Sequence, residues 1–539
     1  MCPDGTDFPV IWDDQEQEQI GWFWDQMHCP LPLSPLSADM WDDIGIGFTR
    51  AFDQTGGLGY PLWKRANGYI FGAFRLFNDD PQVRAAIRNR DGALRSGRLI
   101  ELWRDEYMPE VEVITRGIRS LVAEVSPAST PDVLAQLHAA RQRHGALHML
   151  AIGLTMELQA RFRELCKEEF GDESEVIAGD LLSGLYNKSV ESADELWRLS
   201  EAVKEAPEVE KLLREENAGS FLAKLDNVRG GPEFRRKLDD FLEVYGHRNE
   251  SFSELIFPTW HEDPRFPLLM VRRFIDTPPE RGPGGLHRAV TERREKRTLD
   301  VKQRLSAQPD KWVAFEETMR IAQQHPVLQE DHNFYIDQRG PAATRMVCMA
   351  FGDLLTTRGQ IDAPGDVFYL SEQELRDALS VPPRDLKATV AAARAARERW
   401  MRVLPPATVG GSAFMPPPMR DFFGPVSNEP MEAGAFRGVA GSPGQVRGTA
   451  RLILTLDDID RLAPGEILVT YATAPPWTPA FAIAGGIVTD TGGSLSHCAV
   501  VAREYGIPAV VGSRVATATI QDGQLITVDG TAGIVRIEE

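Results

Sequence analysis

Between Thr130 and Leu158, apolar residues fall on one face at helical spacing: Leu134, Leu137, Leu147, Leu150, Leu154 and Leu158. That spacing predicts an amphipathic helix. Thr130 is placed to cap it and Pro131 to occupy its first turn. Similar patterns predict helices over Asp80–Arg90, Ala193–Lys204, Pro232–Tyr245, Leu286–Leu305, Lys311–His325, Gln338–Thr357 and Pro383–Val403. The stretch Thr291–Arg304 is dense in Arg, Lys and Glu and reads as a solvated helix face. No internal repeat is visible. Residues 1–403 therefore read as mainly α.

The pattern changes near residue 437. Short Val/Ile/Gly runs predict strands at Thr449–Leu454, Glu466–Thr470, Gly486–Thr489, Ala509–Val511, Gln524–Val528 and Gly533–Ile537. A helix starts at or just after Ser496 and stops at Tyr505-Gly506, and Asp457–Leu462 reads as a shorter one. Between the two regions lies a Pro/Gly-rich segment, 404–436, with Phe414, Phe422 and Phe423 as docking points. About thirty such residues span roughly 100 Å when extended and about 30 Å as a coil. The expected architecture is multidomain: a mainly α domain over 1–403, a linker over 404–436, and an α/β domain over 437–539.

Composition narrows the class. The chain has 539 residues, enough for two to four domains, and 42% are hydrophobic, as in a folded globular protein. No run of about 18 apolar residues occurs, so no membrane span is expected. The first residues lack the basic and apolar parts of a signal peptide. Cys2, Cys29, Cys166, Cys348 and Cys498 are scattered, with no C-x-x-C pair, so neither a metal site nor a disulfide framework is expected. A cytoplasmic enzyme fits best. The net charge of −20 argues against nucleic acid or an anionic membrane as partner. A phosphate site in such a chain must gather its cations locally.

The chemistry concentrates in Thr491-Gly-Gly-Ser-Leu-Ser-His497, followed by the helix-forming Cys-Ala-Val-Val-Ala-Arg-Glu-Tyr. A lone histidine beside an apolar helix is more often structural. Here it sits at a helix start, where unpaired N–H groups and the dipole favour anions. His497 can carry a phosphoryl group as a covalent intermediate. Thr491, Gly492, Gly493, Ser494 and Ser496 offer hydroxyls and backbone amides to its oxygens.

This stretch, through Ile507-Pro-Ala-Val-Val-Gly512, resembles the phosphohistidine domain of PEP-utilising enzymes. That family includes PEP synthases, pyruvate phosphate dikinases, rifampin phosphotransferases and phenylphosphate synthases. The resemblance implies a C-terminal α/β (β/β/α) swivelling domain. It also implies a donor site of the ATP-grasp type, whose glycine-rich loop and metal-binding acidic pattern are not seen in this sequence. ATP and Mg2+ would then be bound by a separate ATP-binding subunit, and residues 1–403 would bind the acceptor. Trp24-Asp25, His28–Leu36, Asn67-Gly-Tyr69, Tyr245–Glu254, Pro258–Pro264 and Gly359–Leu370 resemble the acceptor domain of rifampin phosphotransferases and phenylphosphate synthase-like proteins.

Two clusters carry candidate acceptor chemistry. One is His247, Arg248, Glu250 and Glu254; the other is Glu330 and His332 with Arg339 and Arg345. A His or Glu can take a hydroxyl proton, and Arg can hold phosphoryl oxygens. Trp260, Phe334 and Tyr335 are candidates to line an aromatic pocket, although such residues are more often core. In place of the Arg-Glu of antibiotic-phosphorylating relatives, this chain has Gln329-Glu330. The reading is the phosphocarrier and acceptor subunit of a two-component, ATP-dependent phosphotransferase acting on a small phenol such as phenol or 4-cresol. A rifamycin-type antibiotic phosphotransferase and a non-catalytic phosphocarrier remain as alternatives.

Overall fold

The computed structural model describes residues 8–55, 59–76, 99–152, 155–380, 383–411 and 434–538. The chain forms two compact units. The first comprises 1–154, 251–257 and 335–419; the second comprises 155–250, 258–334 and 420–539.

The first unit joins helices to a small sheet. Its principal helices are Pro35–Thr55, Met108–Ser120, Thr130–Ile152, Arg339–Thr357 and Lys387–Trp400. Pro35–Thr55 and Thr130–Ile152 meet at glycines: a Cβ on Gly145 would lie 2.6 Å from the Ile44 carbonyl oxygen. Leu134, Leu137, Val347, Phe351 and Phe368 are central to its core. The four-stranded antiparallel sheet has the order Gly59–Ala66, Tyr69–Leu76, Gly21–Trp24, Thr408–Gly410. Asn67 and Gly68, with φ of 55° and 84°, turn the hairpin between its first two strands. Asn-Gly suits such a turn because both positions need positive φ.

The second unit is helical up to His332 and α/β in its C-terminal part. Phe162, Ile177, Leu181, Val301 and Phe315 form one apolar cluster among the helices. The eight-stranded sheet runs Ala435–Arg437, Ile534–Ile537, Leu525–Asp529, Gln445–Leu452, Ile467–Thr470, Gly486–Thr489, Ala509–Val511, Val439–Ser442. Its centre is parallel, from Gln445–Leu452 through Ala509–Val511. Ile467–Thr470 and Gly486–Thr489 are buried along their whole length, as expected of parallel strands covered on both faces. The helix His497–Tyr505 follows Gly486–Thr489.

The chain is thus multidomain, with a helix-rich N-terminal region and a C-terminal α/β sheet part. The described parts depart from the sequence reading in identifiable places. Helices run over Thr130–Ile152 and Thr155–Phe170, and Leu154, expected on the first of them, lies outside the described residues. Lys311–His325 is divided: one helix ends at Ala322 and the next, Gln324–His332, carries Pro326 in its first turn. Proline lacks the N–H that a continuous helix would need there. Part of 404–436 is regular, since Thr408–Gly410 pairs with Gly21–Phe23. Residues 412–433, with Phe414, Phe422 and Phe423, lie outside the described residues, as does the helix expected at Asp80–Arg90. Among the described residues, no helix is long and apolar enough to cross a membrane.

Candidate functional site

His497 is the first residue of its helix, with Ser496 as N-cap. The Ser496 hydroxyl accepts the Ala499 N–H at 3.4 Å, and the Ser496 N–H reaches the Gly493 carbonyl at 3.0 Å. Gly492 has φ of 106°, and a Cβ there would stand 2.9 Å from Ser496 Oγ, so both conformation and space call for glycine. The Thr491 N–H donates to the Tyr471 carbonyl at 2.9 Å. Arg503, one helical turn and a half on, donates to the carbonyls of Ser494 (2.6 Å) and Gly441 (2.7 Å). The turn is therefore tied to the sheet and to the helix it starts. A helix N-terminus of this kind is a favourable place for an anion.

The imidazole is buried, and both ring nitrogens have a neighbour. Nδ1 lies 3.1 and 3.2 Å from the two carboxylate oxygens of Glu330. Nε2 lies 3.3 Å from Thr478 Oγ1. Glu330 sits on Gln324–His332 and has no exposed surface. Burial alone would raise its pKa. The His497 imidazole, the Ser189 hydroxyl bonded to Oε2, and the Arg248 charge outweigh burial and leave the carboxyl below its usual range. An ionised Glu330 fixes the proton on Nδ1. Nε2 then keeps its lone pair for a nucleophilic role.

Arg248 is a fully buried guanidinium. Burial lowers its pKa to about 10, against the opposing pull of Glu330, Tyr245 and Glu191, so it stays charged at neutral pH. Nη2 donates to the Lys188 carbonyl at 3.1 Å, while Nε and Nη1 have no hydrogen-bond partner among the described residues. Two unmet donors on a buried cation are costly unless an oxyanion meets them at some stage. The guanidinium lies 5.7 Å from the rings of both Trp260 and Phe334. Phe334 also meets His247 edge-on at 4.7 Å, Tyr245 at 5.7 Å and the Lys188 ammonium at 5.4 Å.

Other expected residues stand apart from this group. His332 shares a helix with Glu330 but is two residues on, and side chains at that spacing do not face each other. Its Nδ1 donates to the Leu328 carbonyl at 2.9 Å. Glu250 accepts the Leu456 N–H at 3.1 Å, and burial with Asp457 nearby raises its pKa to about 7. Tyr335, Arg339, Arg345 and Glu254 belong to the first unit. Tyr335 packs on Trp103 and under Arg339; Arg345 donates to the Leu255 carbonyl at 2.6 Å and lies over Phe368. Glu254 accepts from the Ser34 N–H (2.7 Å) and from the hydroxyls of Ser34 and Ser37 (2.8 and 2.7 Å). The first unit encloses a cavity of about 10 Å3 between Trp41, Ile44, His144 and Phe252, room for about one water.

Sequence reasoning did not single out Ser189, Thr478, Lys188 or Arg503. Ser189 and Lys188 open a helix capped by Asn187, and Arg503 is an ordinary last-turn cation. Nothing local marks any of them as site residues. The relation of Ser189 to Glu330 and of Thr478 to His497 exists only once the chain has packed.

Residues 462–533 match the family described as PEP-utilising enzyme, mobile domain, and residues 147–330 match the rifampicin phosphotransferase fourth domain. The chain is 32% identical over 558 aligned residues to a chondramide synthase of Chondromyces crocatus, covering 99% of this chain and 14% of that protein. It is 30% identical to an uncharacterised phosphotransferase of Bacillus subtilis, covering 74% and 47%. It is 29% identical to a rifampicin phosphotransferase of Streptomyces sviceus, covering 99% and 64%. The chain thus spans less than two thirds of the length of each of these relatives.

Proposed function

For a chain with the mobile domain of the PEP-utilising enzyme family and rifampicin phosphotransferases among its relatives, we propose phosphoryl transfer through a phosphohistidine at His497. The observation that carries this reading is the Glu330 carboxylate on Nδ1 of a histidine at a helix N-terminus. In the first step Nε2 attacks the donor phosphorus, the N–P bond forms, and the donor P–O bond breaks. In the second step an acceptor hydroxyl oxygen attacks that phosphorus. The N–P electron pair returns to the ring, which Glu330 still holds in its Nδ1–H form. Arg248, through Nε and Nη1, takes the charge gathering on the phosphoryl oxygens.

His247, adjacent in sequence to Arg248 and edge-on to Phe334, is our assignment for the base that takes the hydroxyl proton. Phe334 and Trp260, buried rings beside the Arg248 guanidinium, are our candidates for the apolar side of the acceptor site. The acceptor in this reading is a small phenol such as phenol or 4-cresol. The donor is ATP with its Mg2+, bound by a separate ATP-grasp subunit. The fraction of its relatives that this chain spans leaves room for a donor site beyond these residues.

A second reading, phosphorylation of a rifamycin-type antibiotic, is favoured by the relatives that carry that name. One assay separates the two. The chain, an ATP-binding partner, ATP and magnesium are incubated with phenols or with rifampicin, and aryl phosphate, rifampicin phosphate and AMP are followed. Aryl phosphate with AMP supports the first reading. Rifampicin phosphate alone replaces it with the second. Labelling of His497 with neither product leaves a phosphocarrier without an acceptor of either kind.

A further inference from the structure

The second unit contains a cleft that the His497 chemistry does not use. It has a volume of about 610 Å3 and lies between the helix Arg265–Ile275 with its following loop and the segments Asp460–Pro464 and Ala482–Ile483. That volume is within the range of small-molecule sites, about 300–1,000 Å3. Four arginines line it, Arg214, Arg272, Arg273 and Arg281, against two aspartates, Asp276 and Asp460. In a chain of net charge −20, such a local excess of guanidinium is a departure from the general surface.

The four arginines are not equivalent. Arg214 is bound to Glu210 at 2.9 Å and to both oxygens of Asp276 at 2.7 and 2.8 Å. Arg273 donates to the Asp460 carbonyl. Arg272 and Arg281 are exposed, and their guanidinium groups make no hydrogen bond or ion pair with any described residue. Apart from Thr277, the remaining lining is apolar: Leu269, Pro278, Pro464, Ala482 and Ile483. Ala482 and Ile483 are buried. The cleft thus offers two free planar forks beside a flat aliphatic wall. Guanidinium forks fit phosphate oxygens in a bidentate manner, and an aliphatic wall accepts the face of a planar ring.

We propose that this cleft binds a nucleotide-sized phosphoester, its phosphate on Arg272 and Arg281 and its ring on the Pro464–Ile483 side. The two arginines belong to the helical part, and Pro464, Ala482 and Ile483 belong to the α/β part. A ligand touching both stabilises their packed arrangement by its differential affinity for that arrangement. The linkage is reciprocal: whatever releases the α/β part weakens the ligand. The site is therefore a place where a nucleotide holds the part that carries His497 against the helices.

The test is calorimetric titration of the full chain with AMP, with pyrophosphate and with inorganic phosphate. AMP is expected to bind saturably, at least tenfold more tightly than inorganic phosphate. Arg272→Ala with Arg281→Ala should weaken AMP at least tenfold, and Arg281→Glu alone should also weaken it. His497→Ala should leave AMP affinity unchanged. Hydrogen exchange should slow in both Arg265–Ile275 and 460–464 when AMP is present. No saturable AMP binding, or equal affinity for AMP and inorganic phosphate, overturns the proposal. So does AMP binding that His497→Ala abolishes and the arginine variants retain, because the ligand would then occupy the histidine site.

Discussion

Nδ1 of His497 lies 3.1 Å from Oε2 of Glu330, a residue 167 positions earlier in the chain. Both groups are buried, Glu330 completely and His497 with 7% of its side chain exposed. Carboxylate and imidazole together set which nitrogen keeps its proton. The chemistry proposed for His497 follows from that choice.

Glu330→Gln keeps the shape and removes the charge. Acceptor phosphorylation is expected to fall by about 100-fold or more, the scale of losing one preorganised electrostatic partner. Product formation and the amount of phosphohistidine should be measured separately in single-turnover experiments. Unchanged product formation would remove Glu330 from the mechanism.

His497→Ala should abolish acid-labile phosphate on the chain and all acceptor product, with an unchanged circular dichroism spectrum. In the variant the buried Glu330 keeps the Ser189 hydroxyl and the Arg248 charge, and the spectrum checks that these suffice to hold the fold. Residual transfer by the variant would rule out a histidine carrier.

Arg248→Lys keeps a positive charge and loses the fork. With Nε and Nη1 the donors reserved for phosphoryl oxygens, transfer from His497 to the acceptor should slow by about 100-fold. Phosphohistidine should then accumulate. Equal slowing of charging and discharge would place Arg248 outside the acceptor step.

The buried Glu504 carboxyl gives a pH prediction. Burial raises its pKa to about 8, against the Leu185 N–H that it accepts at 2.8 Å. In the unfolded chain a glutamate titrates near pH 4.3. Between those values the folded form holds a proton that the unfolded chain has released. Its contribution to stability therefore falls as pH rises from about 4.3 to about 8, then levels off. Glu504→Gln should flatten the Tm profile between about pH 5 and about pH 9 and raise Tm at the alkaline end. Parallel profiles for the two proteins would contradict the assignment.

Gly492→Ala introduces a Cβ 2.9 Å from Ser496 Oγ at a residue with φ of 106°. Strain of this kind costs about 1–3 kcal/mol. The cap of the His497 helix should loosen, with faster amide exchange over His497–Tyr505 and at least tenfold slower charging. Exchange identical to the parent protein would mean that the turn adapts without cost.

Much of this molecule is legible in one dimension because it is local. The glycine turn, the Ser496 cap and the helix from His497 to Tyr505 depend on residues within a few positions of one another. The parallel strands Gly486–Thr489 and Ala509–Val511 likewise follow from short apolar runs between turns. The Asn67–Gly68 hairpin is equally local, but its neighbours do not alternate cleanly, so the sequence shows it only through the family resemblance of Asn67-Gly-Tyr69. The break before Gln324 was marked by Pro326, and the surrounding helical periodicity obscured it.

That His497 begins a helix behind a glycine turn, the place proposed to hold a phosphoryl group, is legible along the chain. Which residues surround it depends on the packed fold. Ser189 and Glu330 are 141 positions apart, yet share a buried hydrogen bond; Thr478 comes from a third helix, Thr478–Phe481. Such meetings are fixed by how helices and strands pack. Side chains distant along the chain converge when apolar faces are buried, and no spacing in the sequence encodes that convergence.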